Sequence, residues 1–416
     1  MGVTGLGVVF ALLVSAGLES DDPSERLYGR VHTKDGSVVE GFLRWDRNEV
    51  SRTDFLDGAK GIPAEQVREA ESLDPEFAER QRRARSIVAF GRRISWDEDD
   101  LSDPLTTPAG IRFGHIESLE VLDGRSALLR LVGGGEVRLD SSGSDLGTGM
   151  RRLVVEGPGG RAEEIGWSEL ERIDFLPVPR NAHSPAALRL HGTVTTWEGI
   201  ELTGNVAWDL DEVLDEDVLD GRADGEDMQI AFRDISEIAW ESERSARVFL
   251  RTGEELVLRG TNDVDRSNRG IEVSDPGFGR ATVSWADFRS VRFHPPGQRL
   301  PWPAVEPGRP LRGTVHAADG RVIEGEIRWD NDETAAWESI EGWSGDVDLD
   351  VELAAIRSIA KSSTDGVTVT LLDGRTFALS GSASVDERNK GVFVKPDGRP
   401  RRLVRWRDFE RLELVW

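Results

Sequence analysis

The 416-residue sequence contains no cysteine, a single tyrosine (Tyr28) and only five lysines, and beyond its first eighteen residues it has no long apolar run. Each shortage excludes something. Without cysteine there is no disulfide framework, thiolate nucleophile, zinc finger or iron–sulfur cluster. With 52 Lys+Arg against 77 Asp+Glu the net charge is −25, which repels phosphate backbones and argues against a nucleic-acid partner. No later segment is long and apolar enough for a membrane-spanning helix. The positive charge is nearly all arginine, scattered along the chain, a pattern that codon bias explains better than anion recognition. What is present, 38% hydrophobic and 31% charged residues, is the composition of a globular protein.

The N-terminus reads as an export signal. Residues Met1 to Leu18 carry no charged side chain, and an apolar run from Val8 to Val14 meets the small-residue pattern Val14-Ser15-Ala16. A polar stretch from Glu19 to Asp22 follows. Residues 1–16 are therefore expected to be a cleaved signal peptide, leaving an exported protein, periplasmic or at a bacterial cell surface, with no membrane insertion.

The chain repeats itself. Leu27-Tyr-Gly29-Arg-Val31, Leu190-His-Gly192-Thr-Val194 and Leu311-Arg-Gly313-Thr-Val315 each lead through an acidic-Gly turn into an alternating strand that ends on Trp45, Trp208 or Trp329. Period-two alternation about such a turn predicts a β-hairpin with one buried face. The mid-strand glycines Gly41, Gly204 and Gly325 predict a bend or a close backbone approach. A second family runs through Leu129–Leu139, Val248–Leu258 and Val367–Leu379. Both families end alike, as in Trp285-x-Asp287-Phe288-x-x-Val291 and Trp406-x-Asp408-Phe409-x-x-Leu412, which predicts a strand, a one-turn break capped by the acidic residue, and a last strand.

Six copies in three pairs follow: modules at 27–122, 126–176, 188–241, 245–295, 309–361 and 365–416. Pro-rich linkers at 176–185 and 294–310 separate the pairs. An insertion at about 61–110 interrupts the first module. Its part from Pro63 to Arg85 has helix-forming composition and is expected to cap the assembly rather than to serve as a partner-binding arm.

A small five-stranded module with a one-turn break before its last strand resembles the SH3-like barrels. The second family also resembles Sm-like proteins, through Val248-Phe-Leu-Arg-Thr-Gly253, Asp265 to Asn268, Ile271-Glu-Val273 and Val283-Ser-Trp285. The resemblance covers about half of the chain and implies an all-β fold of six tandem small barrels. A six-bladed β-propeller is the alternative. Val283-Ser-Trp285 stands where Sm-like proteins carry an RNA-contacting Arg-Gly element, so RNA binding is not carried over.

Few residues point to chemistry. None of the six histidines forms a HExxH or other close metal-ligand pair, and no nucleophile elbow, Walker loop or dinucleotide fingerprint occurs. No cofactor, catalytic residue or metal ligand is assigned. The acidic loop from Asp209 to Asp227 lacks calcium-loop spacing, so a solvated loop is preferred there to a calcium site. The recurring Trp residues read as core. Trp197, Trp302, Trp337 and Trp343 do not recur and are the candidate ligand-contacting aromatics. Asp265/Asn268 and Asp386/Asn389 form a second candidate set, with turn-holding Asx bonds as the competing role. The expectation is a non-catalytic envelope scaffold that binds another exported protein. The alternatives are a glycan binder using loop tryptophans and a secreted hydrolase with Asp/Glu chemistry.

Overall fold

A computed structural model describes residues 25–46, 48–75, 86–89, 92–95, 106–157, 160–179, 182, 187–295 and 301–416. The expected signal peptide lies outside them. The described chain is all-β apart from one helix, Ala64–Leu73, and short 3₁₀ turns. Among the described residues no helix is long and apolar enough to cross a membrane.

The middle pair shows how two copies combine. Strands His191–Thr196 and Glu201–Ala207 form the expected hairpin, with Gly192 opposite Gly204. The second of them then pairs with Ile271–Asp275 of the other copy, not with the next strand of its own. His191–Thr196 likewise pairs with Phe288–Phe293, through Val194 opposite Val291. In exchange, Val218–Ala223 of the first copy touches Glu255–Arg259 of the second at Arg222 and Arg259. Ile235–Ser242 joins Ser245–Leu250 and also Phe288–Phe293. The two copies are thus interlocked, the inner strands being inserted between the outer ones. The first pair repeats this, with Val38–Arg44 on Leu153–Glu156 and Phe55–Gly61 on Glu136–Asp140. The third does so with Val322–Trp329 on Val392–Lys395.

Six separate barrels are therefore not what forms. The described strands make a ten-stranded sheet from the first pair, a twenty-stranded sheet from the other two, and a small hairpin, Ser86–Ala89 with Arg92–Ser95. Among the described residues no sheet closes into a barrel by strand pairing, and the exchange between copies is unlike the separate blades of a propeller. The large sheet is continuous because Gly279–Val283 of the middle pair lies antiparallel to Val347–Glu352 of the third, from Gly279 opposite Val351 to Val283 opposite Val347.

Other sequence features have direct physical counterparts. A side chain at Gly41, Gly204 or Gly325 would collide with the carbonyl oxygen of Glu156, Ser274 or Lys395 on the exchanged strand, so these glycines mark the close approach where copies interlock. Four of the one-turn breaks are 3₁₀ turns, at Phe113–His115, Phe232–Asp234, Leu353–Ala355 and Trp406–Asp408. No side chain caps these four; in each the backbone N–H of the following residue bonds back to the first carbonyl of the turn, whereas in the plain turn at 166–169 the Glu169 carboxylate accepts the Gly166 N–H as expected. Trp45, Trp208 and Trp329 are wholly buried.

The helix packs on a neighbouring pair. Its Ala70 and Leu73 pack on Phe393 and Leu403 of the third pair. Glu69 meets Arg328 at 3.0 Å and Arg401 at 3.2 Å, and Asp74 meets Arg405 at 3.2 Å. The third pair therefore touches both others.

Candidate functional site

Two kinds of polar site stand out. One is the junction of the three pairs. Arg112 ends the strand Thr106–Arg112 and is fully buried. It donates to Glu352 of the third pair (2.7 Å), to Thr53 O of the first (2.6 Å), and to Ser274 Oγ, Asp275 O and Gly279 O of the middle pair (3.0, 2.8 and 2.6 Å). All five guanidinium N–H groups are used, and the ring of Phe55 stacks 4.5 Å below. His115 holds the other Glu352 oxygen at 2.6 Å. Nearby, Arg280 bridges Asp57 and Asp350, each at 2.7 Å, and Arg189 grips Asp54 at 3.0 Å. Arg112 and Glu352 occupy the same repeat position, directly before the 3₁₀ turn, where the middle pair has Ala231. That opposite charge at a repeated position was the available signal for the joint, and sequence reading missed it.

The junction titrates on the acid side. Burial alone would raise the Glu352 carboxyl, but His115 and Arg112 outweigh it and hold the group below its ordinary 4.5. A depressed carboxylate contributes stability that is fully present above its unfolded pKa and is lost as pH falls through the lower folded one. The urea midpoint should therefore drop steeply below about pH 4.5, while Glu352→Gln should be less stable at neutral pH with a shallower acid limb. Parallel acid limbs in urea titrations of the two proteins would contradict this.

The other site is an acidic pocket that occurs once per pair. Each repeat carries Trp-Asp-x-x-Glu: Trp45-Asp46…Glu49, Trp208-Asp209…Glu212 and Trp329-Asp330…Glu333. The Trp and Glu form an isolated backbone bridge in all three, which forces the intervening loop tight. The aspartates take left-handed backbone, φ 41°, 51° and 47°, a conformation that Asp tolerates better than most residues. Their carboxylates accept the backbone N–H of Arg151, Arg269 and Lys390 respectively. The indole N–H of each Trp donates to the carbonyl of Asp145, Asp263 or Ser384. In the first two repeats that residue is itself acidic, and its side chain accepts the N–H of Asp57 or Asp220.

Carboxylates therefore converge beneath each Trp. In the middle pair, oxygens of Asp209, Glu212 and Asp263 lie within 4.8 Å of one another. The Oε2 atoms of Glu49, Glu212 and Glu333 are all buried and accept no hydrogen bond. Burial, reinforced by neighbouring carboxylates, pushes Glu212 up to about 8, Asp263 to about 6 and Asp145 to about 7, and pushes Glu49 and Glu333 well above the carboxylate range. The Trp-Asp-x-x-Glu spacing is the sequence signal for these pockets.

The candidate residues named from sequence disperse. Trp197 and Trp343 are exposed, at 52% and 45%. Their turns are neighbours, because the Glu198 side chain lies against Gly345. Trp337 is instead buried and joins the core of the first pair, with the Lys60 ammonium 5.7 Å from its ring. Trp302 is half-buried, stacked edge-on against His115 at 5.5 Å and bonded to Glu25. Asp265 holds the N–H of Ser267, and Asp386 that of Arg388. Asn268 and Asn389 accept the N–H of Gly270 and Gly391. Between the first and third pairs runs a cleft of about 1040 Å³, with Leu131, Val137 and Trp337 among charged residues that include Arg125, Arg138 and Asp140. Comparison with known proteins finds no family model, no curated protein and no solved structure that matches the chain.

Proposed function

We propose that this chain is a non-catalytic, exported envelope protein that holds a segment of a partner polypeptide, as an assembly scaffold does. The observation that carries the reading is the cleft between the first and third pairs. Its volume of about 1040 Å³ suits a polymer segment, and apolar side chains lie there among charges of both signs. That mixture fits a peptide, whose backbone and side chains are themselves mixed. The buried ionisable groups of the junction support the same reading, because Arg112, Glu352 and Arg280 are committed to holding the pairs together.

The immobilised full chain, exposed to native envelope extract, should retain one stoichiometric protein. Reversing two cleft charges, Arg125→Glu with Arg138→Glu, should abolish that retention while leaving the thermal midpoint within a few degrees, since both side chains are at the surface. Unchanged retention by the variant, or consumption of a substrate by the purified chain, would defeat the proposal. The exposed neighbours Trp197 and Trp343 favour one second reading, a glycan held on flat indole faces. It requires tryptophan fluorescence to respond to cell-wall glycan and the response to vanish in Trp197→Ala and Trp343→Ala.

A further inference from the structure

Beside the cleft lies a smaller pocket of about 240 Å³, with walls from all three pairs. The two share Lys60, Trp337 and Glu338, so a chain held in the cleft passes the edge of the pocket. The charges of the pocket do not balance. Arg280 is taken by Asp57 and Asp350, and Lys60 by Glu338. That leaves Glu333 and Glu341 on the wall without an ion pair among the described residues.

Glu333 is the sharper case. It is only 8% exposed, and its Oε2 accepts no hydrogen bond among the described residues. Ser339 Oγ, of the same pocket, is buried and unpartnered too. A carboxyl removed from water without a partner takes either a proton or a cation. Burial, together with Asp332, pushes Glu333 well above the carboxylate range against the pull of Lys60. A donor entering the pocket would relieve that cost.

We propose that this pocket takes a primary ammonium, the side chain of a lysine in the partner segment held by the cleft. This rests on the peptide-holding role of the cleft and adds what the segment carries. An ammonium brings three hydrogen-bond donors and needs no planar partner, which suits acceptors on three separate side chains, Glu333, Ser339 and Glu341. A lysine stem and its nitrogen are five heavy atoms, roughly 150 Å³ if each takes about the 30 Å³ of a liquid water. The pocket has room for them. Trp337 offers its ring to the incoming charge, as it already does to Lys60 at 5.7 Å. The resident cations do not bar entry, since each is neutralised by its own carboxylate.

The corresponding glutamate of the first repeat marks the limit. Glu49 is as buried as Glu333, and its Oε2 likewise accepts no hydrogen bond among the described residues. It faces a separate cavity of about 140 Å³ that shares no wall residue with the cleft, so a bound segment has no route to it.

The probe is acetyl-alanyl-lysyl-alanine amide, titrated by calorimetry into the full chain, with norleucine and arginine analogues for comparison. One saturable equivalent is expected for the lysine peptide and none for the norleucine peptide. Glu333→Gln should weaken the lysine peptide at least about tenfold, the worth of a hydrogen bond to a charged group. Ser339→Ala should weaken it several-fold, and Glu49→Gln, matched in burial and chemistry, should leave it unchanged. Near-ultraviolet circular dichroism verifies that each variant stays folded. Absence of saturable binding overturns the proposal, as does equal binding by Glu333→Gln. An arginine peptide that binds as tightly overturns the assignment to a primary ammonium. If n-butylamine, the bare side chain, binds as tightly as the peptide, the link to the cleft is overturned. The cleft itself is judged separately: a partner retained from extract by Glu333→Gln as firmly as by the native chain leaves the peptide-holding role intact and removes the lysine from it.

Discussion

Arg112→Ala is expected to destabilise the protein by about 3–5 kcal/mol, the cost of stripping one partner from a buried ion pair. The loss goes beyond one contact. Glu352 is 1% exposed and would keep only His115, while Thr53 O, Asp275 O and Gly279 O would each lose a donor inside the junction. The three pairs meet at this one guanidinium, so its removal should also loosen their arrangement. Urea denaturation should show an earlier midpoint, and small-angle scattering a larger radius of gyration. Replacing both partners by apolar residues, Arg112→Met with Glu352→Leu, should recover the part of the loss that comes from a carboxylate left buried alone, and not the part that comes from the undonated carbonyls. If the double variant is as unstable as the sum of the singles, the pair is not coupled and the junction is held by something else.

What the sequence made legible was local. Period-two alternation located the hairpins, and the shared Trp-x-Asp-Phe spacing located the breaks that became 3₁₀ turns or simple turns. Burial of Trp45, Trp208 and Trp329 followed from their position at the ends of alternating strands. The exchange of strands between copies was not legible, for a physical reason. Alternation tells which face of a strand is buried and says nothing about which edge it pairs with. Two similar copies offer each strand two nearly equivalent partners, and the choice is made by connections and twist. Gly41, Gly204 and Gly325 carried a trace of the answer, since their missing side chains admit the carbonyl of the exchanged strand.

The candidate sites followed the same division. Non-recurrence was used as the mark of a surface contact, and for Trp197 and Trp343 the side chains are indeed exposed. For Trp337 non-recurrence marked a joint instead: only the third pair has the first pair's core to fill. Arg112 and Glu352 are non-recurring for that reason too. In a chain of interlocked repeats, a residue that breaks the pattern is as readily a contact between repeats as a contact with a ligand. The acidic pockets lay on the recurring side of that line, so that reading residues one at a time passed over them.

Gly279→Ala tests the remaining joint, the ladder that makes the middle and third pairs one sheet. Gly279 has φ 137°, outside the range that an L-residue adopts comfortably, and a Cβ there would be driven into the carbonyl oxygen of Asp350 on the facing strand. The backbone strain alone costs on the order of 1–3 kcal/mol. Relief requires the two strands to part, which forfeits the pairing that begins at Gly279 and Val351 and displaces the Gly279 carbonyl from Arg112. The expected outcome is an unfolding curve that divides, with the third pair melting before the rest. Gly253→Ala is the control: it too has positive φ, at 92°, but nothing lies within 4 Å of its added carbon. It should cost only the backbone term and leave a single transition. Equal effects of the two changes would mean that the strand pairing at 279–283 contributes little to holding the pairs together, and that side-chain joints such as Arg112–Glu352 and Arg280–Asp350 carry that role.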